Sequence, residues 1–84
     1  MTTKKMTINI PTGLEARPVA ILVQVASKFE SSIYIECENK KVNAKSIMGM
    51  MTLGLDAGEE ITLSASGEDE EAAMDSMEQY LSNQ

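Results

Sequence analysis

Three short segments of this 84-residue chain alternate apolar and polar side chains, and this alternation restricts the possible folds more than any other feature. The apolar positions are Met6, Ile8 and Ile10, then Ile33, Ile35 and Cys37, then Ile61, Leu63 and Ala65. A period of two residues is typical of a strand with one buried and one solvated face. The chain therefore predicts a sheet that packs on one side only, which favours antiparallel pairing.

Two longer segments have the spacing of amphipathic helices. From Ala16 to about Phe29, one arc of a helical wheel contains Val19, Ile21, Leu22, Val23, Val25, Ala26 and Phe29. Pro18 is tolerated only in a first turn, so this helix is expected to begin close to Glu15. Asp69 is a candidate N-cap for the last helix. The apolar stripe of that helix is Ala73, Met74, Met77, Tyr80 and Leu81.

The remaining elements are short. Glu38-Asn39-Lys40 has the composition of a hairpin turn into a brief strand around residues 41–43, and a helix of one or two turns is expected to begin at Ser46. The order is strand, helix, strand, strand, short helix, strand, helix (βαββαβα). This order predicts an α+β open-faced two-layer sandwich, in which a four-stranded antiparallel sheet carries three helices on one face. We expect a single domain over residues 1–84.

Composition excludes several classes of function. The formal charge is −6, which argues against direct binding to nucleic acid and favours protein partners. The chain has no His and one Cys, so the usual zinc sites and the commonest general base are missing, and we expect no metal, no cofactor and no enzymatic activity. Cys37 is interpreted as a small core residue. No segment approaches the length of a membrane span, and a cytoplasmic protein is expected.

Ser46 is the candidate functional residue, because it precedes a run of methionines interrupted by Gly49. A serine at a helix N-cap can carry a phosphoryl group where backbone N–H groups already favour an anion. The alternative is a plain N-cap serine beside a satellite hydrophobic cluster, and the residues alone do not decide between the two.

Two segments resemble the signatures of the family of histidine-containing phosphocarrier proteins (HPr) of the bacterial sugar phosphotransferase system. They are Thr12-Gly13-Leu14-Glu15-Ala16-Arg17-Pro18 and Lys40-Lys41-Val42-Asn43-Ala44-Lys45-Ser46-Ile47-Met48-Gly49. The likeness extends over essentially the whole chain, including residues 24–29 and 67–70. In that family the first segment carries the phosphorylated histidine, and Glu15 stands in its place here.

The resemblance implies a regulatory rather than a carrier role, because a carboxylate has no ring nitrogen to accept the phosphoryl group. A chain that keeps the serine and lacks the histidine is similar to the catabolite-repression HPr-like branch of the family. Such proteins are phosphorylated on the serine, here Ser46, by HPr kinase/phosphorylase with ATP. They then bind the transcription factor catabolite control protein A as corepressors. The positions that form the partner-facing patch in the family are Arg17, Lys45, Ile47, Met48 and Met51.

Three interpretations of Glu15 remain open. It can be a first-turn carboxylate stabilised by the helix dipole and Arg17, or a permanent mimic of phosphohistidine. It can also be a natural or engineered replacement in a working phosphocarrier, which makes carrier activity the alternative function. The resemblance adds a metabolic enzyme as a further candidate partner and leaves two oligomeric states, a monomer or a swapped dimer.

Overall fold

The computed structural model describes residues 1–9, 16–53 and 58–82. The elements are β1 (Thr2–Thr7), α1 (Ala16–Ser27), β2 (Ser32–Cys37), β3 (Lys40–Asn43), α2 (Ile47–Met51), β4 (Glu60–Ser66) and α3 (Glu70–Ser82). The expected βαββαβα order is confirmed.

The four strands form one antiparallel sheet in the order β1-β4-β2-β3. Strand β4 lies in the middle and pairs with β1 from Thr2↔Ala65 to Thr7↔Glu60, and with β2 on its other side. Strand β3 continues from β2 through the two-residue turn at Glu38 and Asn39 and forms the second edge. The predicted four-stranded antiparallel sandwich is confirmed.

The alternating segments place their apolar side chains on the inner face of the sheet. Ile33, Ile35, Ile61, Leu63 and Ala65 are each at most 1% exposed. The helices cover this face with a second set of buried side chains: Val19, Leu22, Ala26, Met50, Ala73, Met77 and Leu81. The outer face is polar, and there the Lys41 ammonium lies 5.1 Å from the centre of the Tyr34 ring. The sheet therefore packs on one side, as the alternation predicts.

The boundaries of β1 differ from the prediction. It begins at Thr2 and ends at Thr7, before Ile8. The buried Ile8 still bonds across the sheet, since its N–H donates to the Glu59 carbonyl at 2.9 Å. Ile10, which was expected to extend the strand, lies outside the described residues. Sequence alternation missed the start because Thr2 to Lys5 are polar residues on an edge strand.

The first helix is also shorter and less buried than expected. It ends at Ser27, and Phe29 lies in the following turn with its N–H directed at the Ala26 carbonyl at 3.2 Å. Val25 and Phe29 are half-buried and Ile21 is 40% exposed, so the core-facing arc is narrower than the wheel indicates. Cys37 is similarly half-buried against the core rather than inside it, because it ends β2 beside the hairpin.

The connection between α1 and β2 is held by the start of α3. Asp69 precedes α3, as expected for a cap, but its carboxylate accepts from the backbone N–H groups of Glu30 and Ser31 at 2.9 Å each, and from the Ser31 hydroxyl. Gly67 lies against the same turn with φ 153°, and a Cβ there would come within 2.7 Å of the Ser31 Cα. Only glycine fits this approach.

These hydrogen bonds make the stability of the fold depend on pH. The Ser31 hydroxyl and the Glu30 N–H hold the pKa of the Asp69 carboxyl below its ordinary value. Because the folded pKa is lowered, the stabilisation is fully present above the unfolded pKa of about 3.9 and is lost as pH falls through the folded pKa. We expect Asp69→Asn to lower the melting temperature at pH 7 and to flatten the acid limb of a stability-against-pH curve.

The control is Glu68→Gln, which removes a neighbouring exposed carboxylate that makes no hydrogen bond within the described ranges. Thermal unfolding followed by circular dichroism between pH 2 and pH 7 measures both variants. If the melting temperature of Asp69→Asn fell with decreasing pH as steeply as that of the parent protein, this role of Asp69 would be contradicted.

Candidate functional site

Ser46 lies between two buried anchors. Ala44 and Met50 are both 0% exposed, and the Ala44 N–H extends the β2–β3 pairing by donating to the Ile33 carbonyl at 2.9 Å. The chain therefore leaves the sheet at Ala44 and returns to the core at Met50. The residues between these anchors are held at the surface.

A compact turn introduces Ser46 and gives it the geometry of an N-cap. The Asn43 side-chain oxygen accepts from the Lys45 N–H at 2.8 Å, and the Asn43 carbonyl accepts from the Ser46 N–H at 3.0 Å. Ser46 is extended, with φ −107° and ψ 113°, and its hydroxyl oxygen accepts from the Gly49 N–H at 3.1 Å. The predicted N-cap is confirmed.

The run of methionines separates into buried and exposed side chains. Met50 is in the core, whereas Ile47, Met48 and Met51 are 51%, 83% and 47% exposed. We call these three exposed residues the methionine patch. Ser46 itself is half-buried, so its hydroxyl lies beside the patch and outside the core. Unbranched methionine side chains adapt to different partner surfaces, which suits such a patch to docking.

The surroundings of the Ser46 hydroxyl differ from those of a catalytic serine. A catalytic serine needs an adjacent base to take its proton. Within residues 16–53 and 58–82, the hydroxyl accepts from Gly49 and has no carboxylate or amine within hydrogen-bond reach. The described residues therefore supply no base for a reaction at this oxygen.

Each of the three lysines near Ser46 has a contact within the chain. The Lys45 ammonium donates to the Phe29 carbonyl at 2.6 Å, and the Lys40 ammonium lies 3.5 Å from the Thr52 carbonyl. Lys41 lies over the Tyr34 ring on the opposite face of the sheet. Of the residues expected in the partner-facing patch, the structure thus brings the methionine patch next to Ser46, while the end of the Lys45 side chain reaches the α1–β2 turn.

Glu15 and the Arg17 side chain lie outside the described residues, although the Arg17 backbone belongs to α1. Sequence reasoning in turn missed Asn43, whose side chain closes the turn before Ser46. Asn side chains in turns often accept from the backbone N–H two residues later in the chain. This known turn signal could have identified Asn43.

Other candidate sites are weak. An open cleft of about 400 Å³ between α1 and α3 is lined by Val25, Lys28, Phe29, Ser76, Gln79 and Tyr80, of which only Phe29 contacts the Ser46 turn, through its carbonyl. Burial, Glu38 and Glu59 raise the pKa of the Cys37 thiol, which opposes formation of a reactive thiolate.

In the ranges that the structure covers, no group of His, Cys, Asp and Glu could hold a metal ion, and no helix could span a membrane.

Comparison with known proteins identifies the family of this fold and site. The family profile described as the PTS HPr component phosphorylation site matches residues 2–83. The HPr-like protein Crh of Bacillus subtilis is 47% identical over 81 residues, which cover 96% of this chain and 95% of Crh.

Two solved structures extend this likeness to three dimensions. The phosphocarrier protein HPr of Bacillus anthracis is 41% identical with a TM-score of 0.93, and the match covers 95% of each chain. A crystal structure of Bacillus subtilis Crh, called there a catabolite repression containing protein with domain swapping in a dimer, has a TM-score of 0.78 over 96% of this chain and 93% of Crh. On its sequence, its fold and its solved relatives, this chain belongs to the HPr family.

Proposed function

We propose that this chain is a regulatory protein of carbon catabolite repression that becomes phosphorylated on Ser46. HPr kinase/phosphorylase would transfer the phosphoryl group from ATP, and the phosphorylated protein would then bind a transcription factor of the catabolite control protein A type as a corepressor. The chain would act as one HPr-like domain over residues 1–84, in the cytoplasm, with no catalysis of its own.

The observation that carries this proposal is the position of the Ser46 hydroxyl beside the methionine patch. The hydroxyl lies outside the core at an N-cap, and the patch exposes Ile47, Met48 and Met51 at the same end of the sheet. A modifiable oxygen next to an exposed apolar surface gives a partner both charge and area to recognise. The 47% identity to Crh supports the same role, since that relative is named for catabolite repression.

Phosphorylation would act mainly through charge. A phosphoserine adds about −1.5 to −2 charge at pH 7 and three acceptor oxygens. Because Lys40, Lys41 and Lys45 already have contacts within the chain, we propose that the partner supplies the Arg or Lys that binds the phosphate. One or more charge-assisted hydrogen bonds, at roughly 1.5–3 kcal/mol each, would raise affinity about tenfold to a few hundredfold.

The wider partner set follows from the family. Arg17 stays a candidate partner contact, as does Lys45, and a metabolic enzyme is a second candidate partner for the methionine patch. The oligomeric state is proposed as a monomer or a dimer that exchanges β1. Strand β1 lies at one edge of the sheet and pairs only with β4, so its exchange would leave the pairing of β4 with β2 and of β2 with β3 intact.

The first prediction concerns the modified residue. Incubation with HPr kinase/phosphorylase and ATP should add one phosphate to the chain, and Ser46→Ala should take none, as measured by intact-mass spectrometry. Ser76→Ala is the matched control, because it removes a half-buried serine hydroxyl from α3 and should still take one phosphate. Ser46→Ala also loses an N-cap worth about 0.5–2 kcal/mol, so circular dichroism must verify its fold. A phosphate on Ser46→Ala would refute the site.

The second prediction concerns the methionine patch. Met48→Ala in the phosphorylated protein should weaken binding to the catabolite control protein A type partner about tenfold, since burying a methionine contributes about 1.5–3 kcal/mol. Thr62→Ala, on the outer face of the sheet, should leave the affinity unchanged. Titration calorimetry measures both, and equal affinities for the two variants would exclude the patch as the docking surface.

The alternative is a phosphocarrier that uses Glu15, and the match to an HPr phosphorylation-site profile favours testing it. A phosphorylated carboxylate is an acyl phosphate, which hydroxylamine cleaves. We expect phosphoenolpyruvate and enzyme I to give no hydroxylamine-sensitive label on this chain. Glu15→His is the positive control, because it restores an imidazole at the family position. A label on the unchanged protein that Glu15→Gln removes would favour the carrier.

A further inference from the structure

We infer that Lys45 is a positioning residue, whose ammonium holds the turn that presents the Ser46 hydroxyl by binding the Phe29 carbonyl. This role concerns the same site as the proposed phosphorylation and, in its kinetic part, rests on it. It differs from a direct contact with a partner, because Lys45 would act through the chain's own backbone.

The bond from Lys45 to Phe29 is short and partly shielded. Its donor and acceptor atoms are 2.6 Å apart, and the Lys45 side chain is half-buried. The acceptor belongs to the turn that follows α1, where backbone carbonyls lack helical partners. A cation bound at such a carbonyl also interacts favourably with the negative end of the helix dipole. The contact therefore satisfies a carbonyl of the turn just beyond the end of α1.

The acceptor is itself fixed from the other side. The next two backbone N–H groups, of Glu30 and Ser31, both donate to the Asp69 carboxylate at 2.9 Å. The α1–β2 turn is thus clamped between Asp69, which precedes α3, and Lys45, which precedes the N-cap of α2. A mobile carbonyl would restrain Lys45 only weakly. The Phe29 carbonyl is restrained, because the two N–H groups that follow it bind Asp69 at the start of the 13-residue helix α3.

Lys45 is restrained at its backbone as well as at its side-chain end. Its N–H donates to the Asn43 side chain at 2.8 Å, and the next N–H, of Ser46, donates to the Asn43 carbonyl at 3.0 Å. A rotation of the backbone at residue 45 would displace Ser46 directly and would stretch the 3.1 Å bond from Gly49 to the Ser46 hydroxyl. Holding both ends of Lys45 therefore fixes the direction of that hydroxyl.

The neighbouring Lys40 and Lys41 do not bind the α1–β2 turn. Their variants therefore control for the loss of positive charge alone. The Lys40 ammonium is exposed and lies 3.5 Å from its acceptor, and Lys41 is exposed on the outer face of the sheet. Lys41→Met removes the same charge from the same segment as Lys45→Met but leaves the clamp intact. A purely electrostatic role for this basic segment would make the two variants behave alike.

The first measurement uses the unmodified protein and needs no partner. In Lys45→Met, amide hydrogen exchange followed by NMR should become about tenfold faster at Gly49 and Met50, whose N–H groups bond to Ser46. Exchange at Leu63 in the central strand should not change, which excludes global destabilisation. Lys41→Met should match the parent protein, and Lys45→Arg should recover most of the protection. Unchanged exchange at Gly49 and Met50 in Lys45→Met would overturn the inference.

The second measurement uses HPr kinase/phosphorylase and ATP. Lys45→Met should lower kcat/KM for phosphorylation of Ser46 about tenfold, and the loss should persist at 0.5 M salt, because a half-buried bond is screened little. A loss that disappears at high salt and is shared by Lys41→Met would indicate charge attraction to the kinase and would overturn the positioning role. If the parent protein takes no phosphate at all, the proposed function fails, while the exchange data still decide whether Lys45 holds the turn.

Discussion

The inner face of the sheet is the constraint on which the rest of the structure depends. Its side chains from β2 and β4 are almost completely buried, so three helices must lie over them. Helices α1 and α3 have 12 and 13 residues and can each present a full apolar stripe. Helix α2 has only five residues, which is too short to be stable without tertiary contacts. It persists because Met50 enters the core and Ser46 caps its start.

The short length of α2, compared with α1 and α3, explains the exposed surface beside Ser46. Side chains on a helix are spaced by about 100°, so with Met50 directed into the core, Met48 lies on nearly the opposite side of α2 and Met51 lies to one side. The exposure of Met48 and Met51 is therefore a geometric consequence of anchoring α2 through Met50, whereas Ile47 is exposed because it lies in the first turn at the surface. Nothing in folding alone requires Ile47, Met48 and Met51 to be apolar, because exposed polar residues would serve a short capped helix equally well. Their apolar character is thus more consistent with docking than with stability.

Sequence reasoning recovered the features that depend on patterning. Alternation and helical spacing gave the element order and the sheet class, and the preference of Ser for N-caps gave the start of α2. Sequence patterning did not predict which side chains bind backbone groups. The Phe29 carbonyl that binds Lys45 and the N–H groups that bind Asp69 have no signature of their own, because every residue except proline carries the same two groups. The residues alone could not divide the methionines, since residues 48, 50 and 51 are chemically identical and only the position of the core separates them. The family resemblance selected Met48 and Met51, which are the exposed ones, and left out the buried Met50.

The way in which the Ser46 turn is fixed bears on how a signal could leave it. A conformational switch needs an element with two arrangements of similar free energy. Here the turn is tied to the sheet through Ala44, to the core through Met50 and to the α1–β2 connection through Lys45. Under the proposed phosphorylation, a phosphate on Ser46 would lie beside the N–H groups at the start of α2, and none of these three ties involves the Ser46 hydroxyl. Recognition then has to come from the added charge and from the fixed patch beside it, so a partner would distinguish the two forms by electrostatics on a surface whose shape stays the same.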